Sequence, residues 1–123
     1  MVKILCVDDD SSLLFLYQEE FSEEGYEVIV ARNGKEALEK YDQESPNLVV
    51  LDIRMPVTDG LGTLNALLGR NRQLPVILNT AYSTYRDNFM TWGAEAYVIK
   101  SSDLTELKEK IREVLKNRTN LTK

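Results

Sequence analysis

The chain has 123 residues and a formal net charge of −5; 43% of its residues are hydrophobic, 28% are charged, and histidine is absent. This length predicts one domain over residues 1–123 with a single core, ending in a polar, frayed tail at 117–123. The acidic charge argues against direct binding to nucleic acid or to an anionic membrane, which need a basic face. Because there is no bilayer-spanning apolar run and no basic-then-apolar leader, we expect a cytoplasmic location. The lack of histidine excludes Ser-His-Asp and Cys-His catalysis and metal sites built on His.

Short apolar strands alternate with amphipathic helices along the chain. The predicted strands are residues 3–7, 27–31, 48–51, 76–80 and 96–100. A helix follows each strand, with predicted starts near Ser11, Asn33, Gly60, Ser83 and Asp103 and stops near Gly25, Pro46, Gly69, Gly93 and Asn117. This order predicts an α/β fold in which a parallel sheet carries five helices on its two faces. Right-handed crossovers favour the flavodoxin-like strand order 2-1-3-4-5.

Polar residues collect where these strands end. Asp8 and Asp9 follow the first strand, Asp52 follows the third, Thr80 ends the fourth and Lys100 ends the fifth. The carboxyl ends of parallel strands share one edge, and the first and third strands are neighbours there, so we expect three carboxylates to meet a hydroxyl and an ammonium. Each residue also has an ordinary explanation, as a turn residue, a helix-terminal charge or a solvated strand end. Their agreement across four strands favours a functional site.

Three clustered acids are unfavourable by themselves, since two like charges about 4 Å apart repel by about 4 kcal/mol at an effective dielectric of about 20. A divalent cation would relieve this repulsion, and an all-oxygen ligand set points to Mg²⁺ or Mn²⁺ rather than zinc. A carboxylate beside such a metal can act as a nucleophile and carry an aspartyl phosphate. Phosphoryl transfer asks the protein mainly for positioning and charge neutralisation, which Mg²⁺, Thr80 and Lys100 would supply.

The chain resembles the receiver domain of two-component response regulators over nearly its full length. The motifs that carry the resemblance are Val7-Asp8-Asp9, Asp52 with Met55-Pro56 and Asp59-Gly60, Thr80-Ala81, Gly93-Ala94, and Tyr97 three residues before Lys100. The resemblance implies a Mg²⁺-dependent phosphorelay domain that receives a phosphoryl group from a sensor histidine kinase or a phosphotransfer protein. It also implies self-directed phosphotransfer and autodephosphorylation, without turnover of an external substrate, and signalling to an output domain or protein.

Roles at the acidic site follow from this resemblance by position. Asp52 would be the phosphoacceptor and a metal ligand. Asp9 would bind Mg²⁺ directly, Asp8 largely through water, and the backbone carbonyl of Arg54 would be a further ligand. Lys100 would contact the phosphoryl group.

The resemblance also implies a switch. Thr80 and Tyr97 would be the switch pair, in which the hydroxyl moves toward the phosphoryl group and the ring repacks inward. Small Ala81 would leave the phosphoryl group accessible, and we hypothesise that Tyr82 and Arg54 shield it from water. The output surface would comprise the fourth predicted helix, the fifth strand and the fifth helix, and it is also a candidate surface for a homodimer.

Lys100 is followed by Ser101-Ser102, where the family usually has proline, often in a cis bond. A cis bond before a non-proline residue costs about 2.5–4 kcal/mol, so we expect a trans bond here. Two other interpretations stay open. An aspartate-nucleophile phosphatase usually carries Asp-x-Asp, but Ile53-Arg54 follows Asp52. A pseudo-receiver that works by contacts alone is disfavoured by the intact acidic residues, although the missing proline keeps it open.

Overall fold

The computed structural model describes residues 1–53, 57–83 and 86–121, and for 57–59 and 118–121 it describes the backbone only. The strands are β1 (Lys3–Val7), β2 (Glu27–Ala31), β3 (Leu48–Leu51), β4 (Val76–Thr80) and β5 (Ala96–Ile99). The helices in this part of the chain are α1 (Ser11–Glu23), α2 (Gly34–Glu44), α3 (Val57–Arg70) and α4 (Thr105–Leu121). All strands pair in parallel in the order β2-β1-β3-β4-β5, which confirms the predicted flavodoxin-like sheet.

Alternate residues of each strand face opposite sides of the sheet, which divides the core in two. Helices α1 and α4 cover one side, whose buried residues include Cys6, Val50, Ile77 and Val98 from the strands and Tyr17 and Ile111 from the helices. Helices α2 and α3 cover the other side, with Val7, Leu51, Leu78, Tyr97, Ala37 and Leu64 among its buried residues. Both faces of the sheet are therefore buried, as the nearly continuous apolar strands predicted. Within the described residues, no helix combines the length and the apolarity needed to cross a membrane.

Four helices are found in the described residues where five were predicted. Between β4 and β5, residues 86–93 form successive turns instead of a helix. The turns close like a helix end, because Gly93 N donates to Met90 O at 3.0 Å and Ala94 N donates to Phe89 O at 3.1 Å. Gly93 has the positive φ of 94° that this closure requires. The predicted stop at Gly93 is therefore confirmed, whereas the predicted helix before it is wrong for these residues.

Helix α3 begins at Val57, earlier than the predicted start after Gly60. Gly60 was predicted to mark the start of this helix, but it lies inside the helix. A Cβ at this position would lie 3.0 Å from Ile53 Cγ1 and 3.2 Å from Ile53 Cα. The glycine therefore serves the close approach of α3 to the backbone just beyond β3.

The register of the sheet aligns the strand ends that were predicted to carry the site. Val7 pairs with Leu51 and Leu51 pairs with Leu78, so the residues after β1 and β3 lie side by side. The ladder continues one step past these strands, since Asp52 N donates to Val7 O at 3.0 Å and Lys100 N donates to Thr80 O at 2.8 Å. The backbone on both sides of the site is thus fixed by the sheet itself.

Candidate functional site

Three carboxylates converge at the carboxyl edge of the sheet, as the sequence predicted. Asp8, Asp9 and Asp52 each offer an oxygen, and these oxygens lie within 4.8 Å of one another. Asp8 is buried, the Asp52 side chain is only 4% exposed, and Asp9 is exposed. The cluster therefore has a buried floor and opens to solvent on the side of Asp9.

Lys100, the residue after β5, completes this cluster. Its Nζ lies 2.7 Å from Asp8 Oδ2 and 3.1 Å from Asp52 Oδ2. Burial lowers the pKa of Lys100, but the neighbouring Asp8 and Asp52 carboxylates outweigh burial and leave the pKa above its ordinary value. The ammonium therefore stays charged at neutral pH. Three carboxylates and one ammonium leave two formal negative charges, which one divalent cation would neutralise.

Asp8 has one oxygen committed to the backbone and one directed into the cluster. Asp8 Oδ1 accepts a hydrogen bond from Asp10 N at 2.9 Å. Asp8 Oδ2 is buried and, among the described residues, accepts no hydrogen bond of ordinary geometry; its close neighbour is the Lys100 ammonium. A buried carboxylate oxygen in an all-oxygen donor set fits a hard divalent cation such as Mg²⁺. The carbonyl of Arg54, predicted as a further ligand, lies outside the described residues.

Asp10 follows the acids in sequence but serves the helix. Its side chain caps α1 by accepting from Ser12 N at 2.9 Å and from Leu13 N at 3.3 Å. This is the favoured role of an aspartate at a helix N-terminus. The structure therefore divides the run of three aspartates, with Asp8 and Asp9 in the cluster and Asp10 at the helix N-terminus.

Thr80 and Tyr97 are joined through the backbone of Tyr82. The Thr80 hydroxyl donates to Ile53 O at 2.7 Å and accepts from Tyr82 N at 3.3 Å. The Tyr97 hydroxyl donates to Tyr82 O. A displacement of the Thr80 hydroxyl would therefore disturb the same residue whose carbonyl holds Tyr97.

Tyr97 lies on β5, and its buried ring faces residues 86–93. It lies 5.8 Å from the Phe89 ring at a tilt of 46°, and Arg86 Cζ lies 5.6 Å from its centroid, within the range of a cation–π contact. Tyr97 also lines a cavity of about 320 Å³ between residues 86–93 and α4, together with Glu106 and Lys110. The ring is thus placed where the described parts of the predicted output surface meet.

The positions proposed to tune phosphoryl lifetime lie at the outer edge of the site. Ala81 is exposed, and Tyr82 is 39% exposed. The third such position, Arg54, is outside the described residues. The shielding role of Tyr82 and Arg54 stays a prediction.

One buried polar pair near the site was missed from the sequence. Asn79 Nδ2 donates to the Tyr17 hydroxyl at 2.9 Å, and both residues are almost fully buried. The available signals were a polar residue inside the apolar strand Val76–Thr80 and a tyrosine in the apolar stripe of α1. Both had been assigned only to secondary structure.

The sequence and the fold are both similar to those of known proteins. The sequence profile described as "Response regulator receiver domain" matches residues 4–112. The chain belongs to this family. It is 39% identical over 122 residues to the probable transcriptional regulator ycf27 of Cyanophora paradoxa, covering 98% of this chain and 51% of the relative. The receiver domain thus spans about half the length of the curated relatives it matches.

Solved structures of receiver domains share the fold. Response regulator TrrA of Thermotoga maritima, in complex with Mg²⁺-BeF, is 43% identical with a TM-score of 0.83, over 92% of this chain and 98% of that one. A CheY-like receiver domain protein of Methanospirillum hungatei JF-1 is 31% identical with a TM-score of 0.89, over 98% of both chains. TrrA has also been solved in complex with histidine kinase ThkA, at a TM-score of 0.82 over 94% of this chain and 99% of that one, with 43% identity. The receiver domain described here is thus similar to signalling proteins that work with histidine kinases.

Proposed function

We propose that this receiver domain accepts a phosphoryl group on Asp52 from a phosphohistidine of a sensor histidine kinase or a phosphotransfer protein. The phosphorus–nitrogen bond of phosphohistidine breaks, a bond from phosphorus to a carboxylate oxygen of Asp52 forms, and the leaving imidazole takes up a proton. The observation that supports this best is the Asp52 carboxylate, 4% exposed at the end of β3, with Lys100 Nζ 3.1 Å from its Oδ2. Lys100 is positioned to neutralise charge on the phosphoryl oxygens.

A divalent cation belongs to the same proposal. Asp8, Asp9 and Asp52, with the carbonyl of Arg54, would hold Mg²⁺ or Mn²⁺, which neutralises charge on the transferred group. Asp8 anchors the site from below, because it is buried and tied to the α1 N-terminus through Asp10 N. Asp9 faces solvent, where an incoming cation and phosphoryl donor would arrive.

Thr80 and Tyr97 would transmit the effect of phosphorylation to the output surface. Movement of the Thr80 hydroxyl toward the phosphoryl group would break its bond to Ile53 O, and the shared contact with Tyr82 would carry the change to Tyr97. The surface formed by residues 86–93, β5 and α4 would then bind an output domain or protein, or a second copy of the chain. A phosphoryl group shifts such an equilibrium because it adds charge and strong acceptor oxygens at one point.

Phosphorylation is tested with acetyl phosphate as donor. In the presence of Mg²⁺ the chain should gain about 80 Da, the mass of HPO₃ on an acyl-phosphate, and lose it again by self-catalysed hydrolysis. The Asp52→Asn variant should bind no phosphoryl group, and removal of Mg²⁺ with a chelator should suppress the gain in the parent. Intact mass spectrometry measures all three.

Other outcomes identify the competing functions. A mass gain that persists in Asp52→Asn would contradict the acceptor assignment. Steady phosphate release from unrelated phosphoesters would favour an aspartate-nucleophile phosphatase. A folded parent that neither binds Mg²⁺ nor gains mass would favour a pseudo-receiver, and the cytoplasmic phosphorelay role would then be rejected.

A further inference from the structure

Ile53, the residue directly after Asp52, carries the carbonyl that holds the Thr80 hydroxyl. Ile53 is 1% exposed, and Thr80 is fully buried. The hydroxyl donates to Ile53 O at 2.7 Å, and its oxygen accepts from Tyr82 N at 3.3 Å. The bond to Ile53 O therefore has to break before this buried hydroxyl can turn toward a phosphoryl group on Asp52.

Helix α3 approaches Ile53 closely at Gly60. A Cβ atom on Gly60 would lie 3.0 Å from Ile53 Cγ1, 3.2 Å from its Cα and 3.3 Å from its Cβ. These distances are shorter than the optimal separation of two carbon atoms in contact, about 3.5–4.0 Å. Because the Cα belongs to the backbone, the contact restrains the backbone of Ile53 together with its side chain. Gly60 and Thr80 thus act on the same buried residue, one at its Cα and side chain and the other at its carbonyl.

The other two glycines of α3 have no such neighbour. A Cβ on Gly62 or Gly69 would meet nothing within 4 Å. Both of these glycines are exposed, whereas Gly60 is half-buried. Among the glycines of this helix, it is therefore at position 60 that packing requires the absence of a side chain.

We propose that Gly60 is a positioning residue for the switch: by letting α3 pack against the backbone of Ile53, it holds Ile53 O where the Thr80 hydroxyl can donate to it. The strength of this hydrogen bond sets how readily Thr80 moves. A stronger bond favours the state in which Thr80 stays on Ile53 O, and a ligand that needs the other state has to offset this preference. Gly60 thereby tunes the response of the switch to phosphorylation.

This inference rests on the proposed phosphorylation of Asp52 and movement of Thr80, and the Gly60→Ala variant tests it. The added methyl would displace Ile53, so the hydrogen bond from Thr80 should weaken. In the presence of Mg²⁺, beryllofluoride, a mimic of the phosphoryl group, should then bind about threefold more tightly, which is part of the free energy of one hydrogen bond. Calorimetry measures this affinity. A purely structural defect would weaken the binding instead.

Gly62→Ala is the matched control, because it places the same methyl group in open space on the same helix. It should bind beryllofluoride as the parent does. Gly60→Ala is also made together with Gly62→Ala and Gly69→Ala, which restrict the unfolded chain and so help to keep the protein folded; thermal unfolding checks each variant. In a Thr80→Val background, which lacks the hydroxyl, Gly60→Ala should leave the affinity for beryllofluoride unchanged.

A measurement without ligand separates this proposal from phosphorylation itself. Three-bond couplings to the Thr80 methyl carbon report the side-chain rotamer, and Gly60→Ala should populate a second rotamer that Gly62→Ala lacks. Equal rotamer populations in the two variants, an affinity of Gly60→Ala no tighter than that of Gly62→Ala, or a gain that persists with Thr80→Val would overturn the proposal. A parent that binds neither Mg²⁺ nor beryllofluoride, with the rotamer change still present in Gly60→Ala, would reject the phosphorylation of Asp52 while supporting the effect of Gly60 on Thr80.

Discussion

Helix α4 and residues 86–93 flank β5 and line the same cavity, yet they are held in different ways. Helix α4 buries Leu107, Ile111 and Val114 at helical spacing. Ion pairs join it to α1 and to the residue that follows α1, since Lys108 Nζ lies 2.6 Å from Glu20 Oε1 and Arg112 Nη1 lies 2.5 Å from Glu24 Oε1. Local pattern, packing and charge therefore all favour the same conformation for α4.

Residues 86–93 have less to fix them locally. Phe89 and Trp92 are only partly buried, and Met90 is 75% exposed. Asp, Asn, Phe, Thr and Trp make up most of this stretch, and all have lower helix propensity than the Glu, Lys and Leu residues of α4. The segment contacts Tyr97 through Phe89 and Arg86 and packs against the core through Phe89 and Trp92. The region next to the proposed switch therefore depends on tertiary contacts for its conformation.

The largest contrast is expected from truncating apolar side chains on the two sides of β5. Ile111→Ala should lower the free energy of unfolding by about 2–5 kcal/mol, because the lost side chain leaves a cavity in a fully buried position. Met90→Ala should change it by no more than about 0.5 kcal/mol, since the side chain is exposed. Urea unfolding measures both. Similar losses in the two variants would mean that residues 86–93 are packed as firmly as α4.

A smaller change should act on residues 82–83 and 86–93 but not on α4. Tyr97→Phe removes the hydrogen bond to Tyr82 O and should cost about 0.5–1.5 kcal/mol of stability. Amide chemical shifts should change at 82–83 and 86–93 and stay constant along α4. Tyr41→Phe, on the distant helix α2, serves as the matched control. Shift changes of equal size in α4 would show that the two sides of β5 are not independent.

The sequence predicted the parts of this molecule that depend on repeated local patterns. The five strands are apolar runs bounded by turn residues, and they fall where predicted, with β5 ending at Ile99 rather than Lys100. Because parallel strands end at one edge, the strand pattern alone predicts that Asp8, Asp9, Asp52 and Lys100 lie close together. Their predicted convergence is confirmed by the geometry, while their chemical roles stay proposals.

The parts that escaped prediction depend on contacts between distant residues. Asn79 has a partner 62 positions away in Tyr17, which no local pattern indicates. Gly60 was expected at the start of a helix, yet it lies inside one, where α3 packs closely against Ile53. The helix predicted before Gly93 is the opposite case. A few apolar residues before the glycine were interpreted as the apolar stripe of a helix, but residues 86–93 form turns.

The three glycines of α3 differ in how well they would tolerate substitution by alanine, because only Gly60 is closely packed. A methyl group at Gly62 or Gly69 would meet nothing within 4 Å, so Gly62→Ala and Gly69→Ala should each raise stability by about 0.4–1 kcal/mol by restricting the unfolded chain. Gly60→Ala should lower the melting temperature instead, because the added methyl would push against Ile53, whose carbonyl accepts the Thr80 hydroxyl. A thermostabilised form of this domain would therefore keep glycine at position 60 and replace it at the other two.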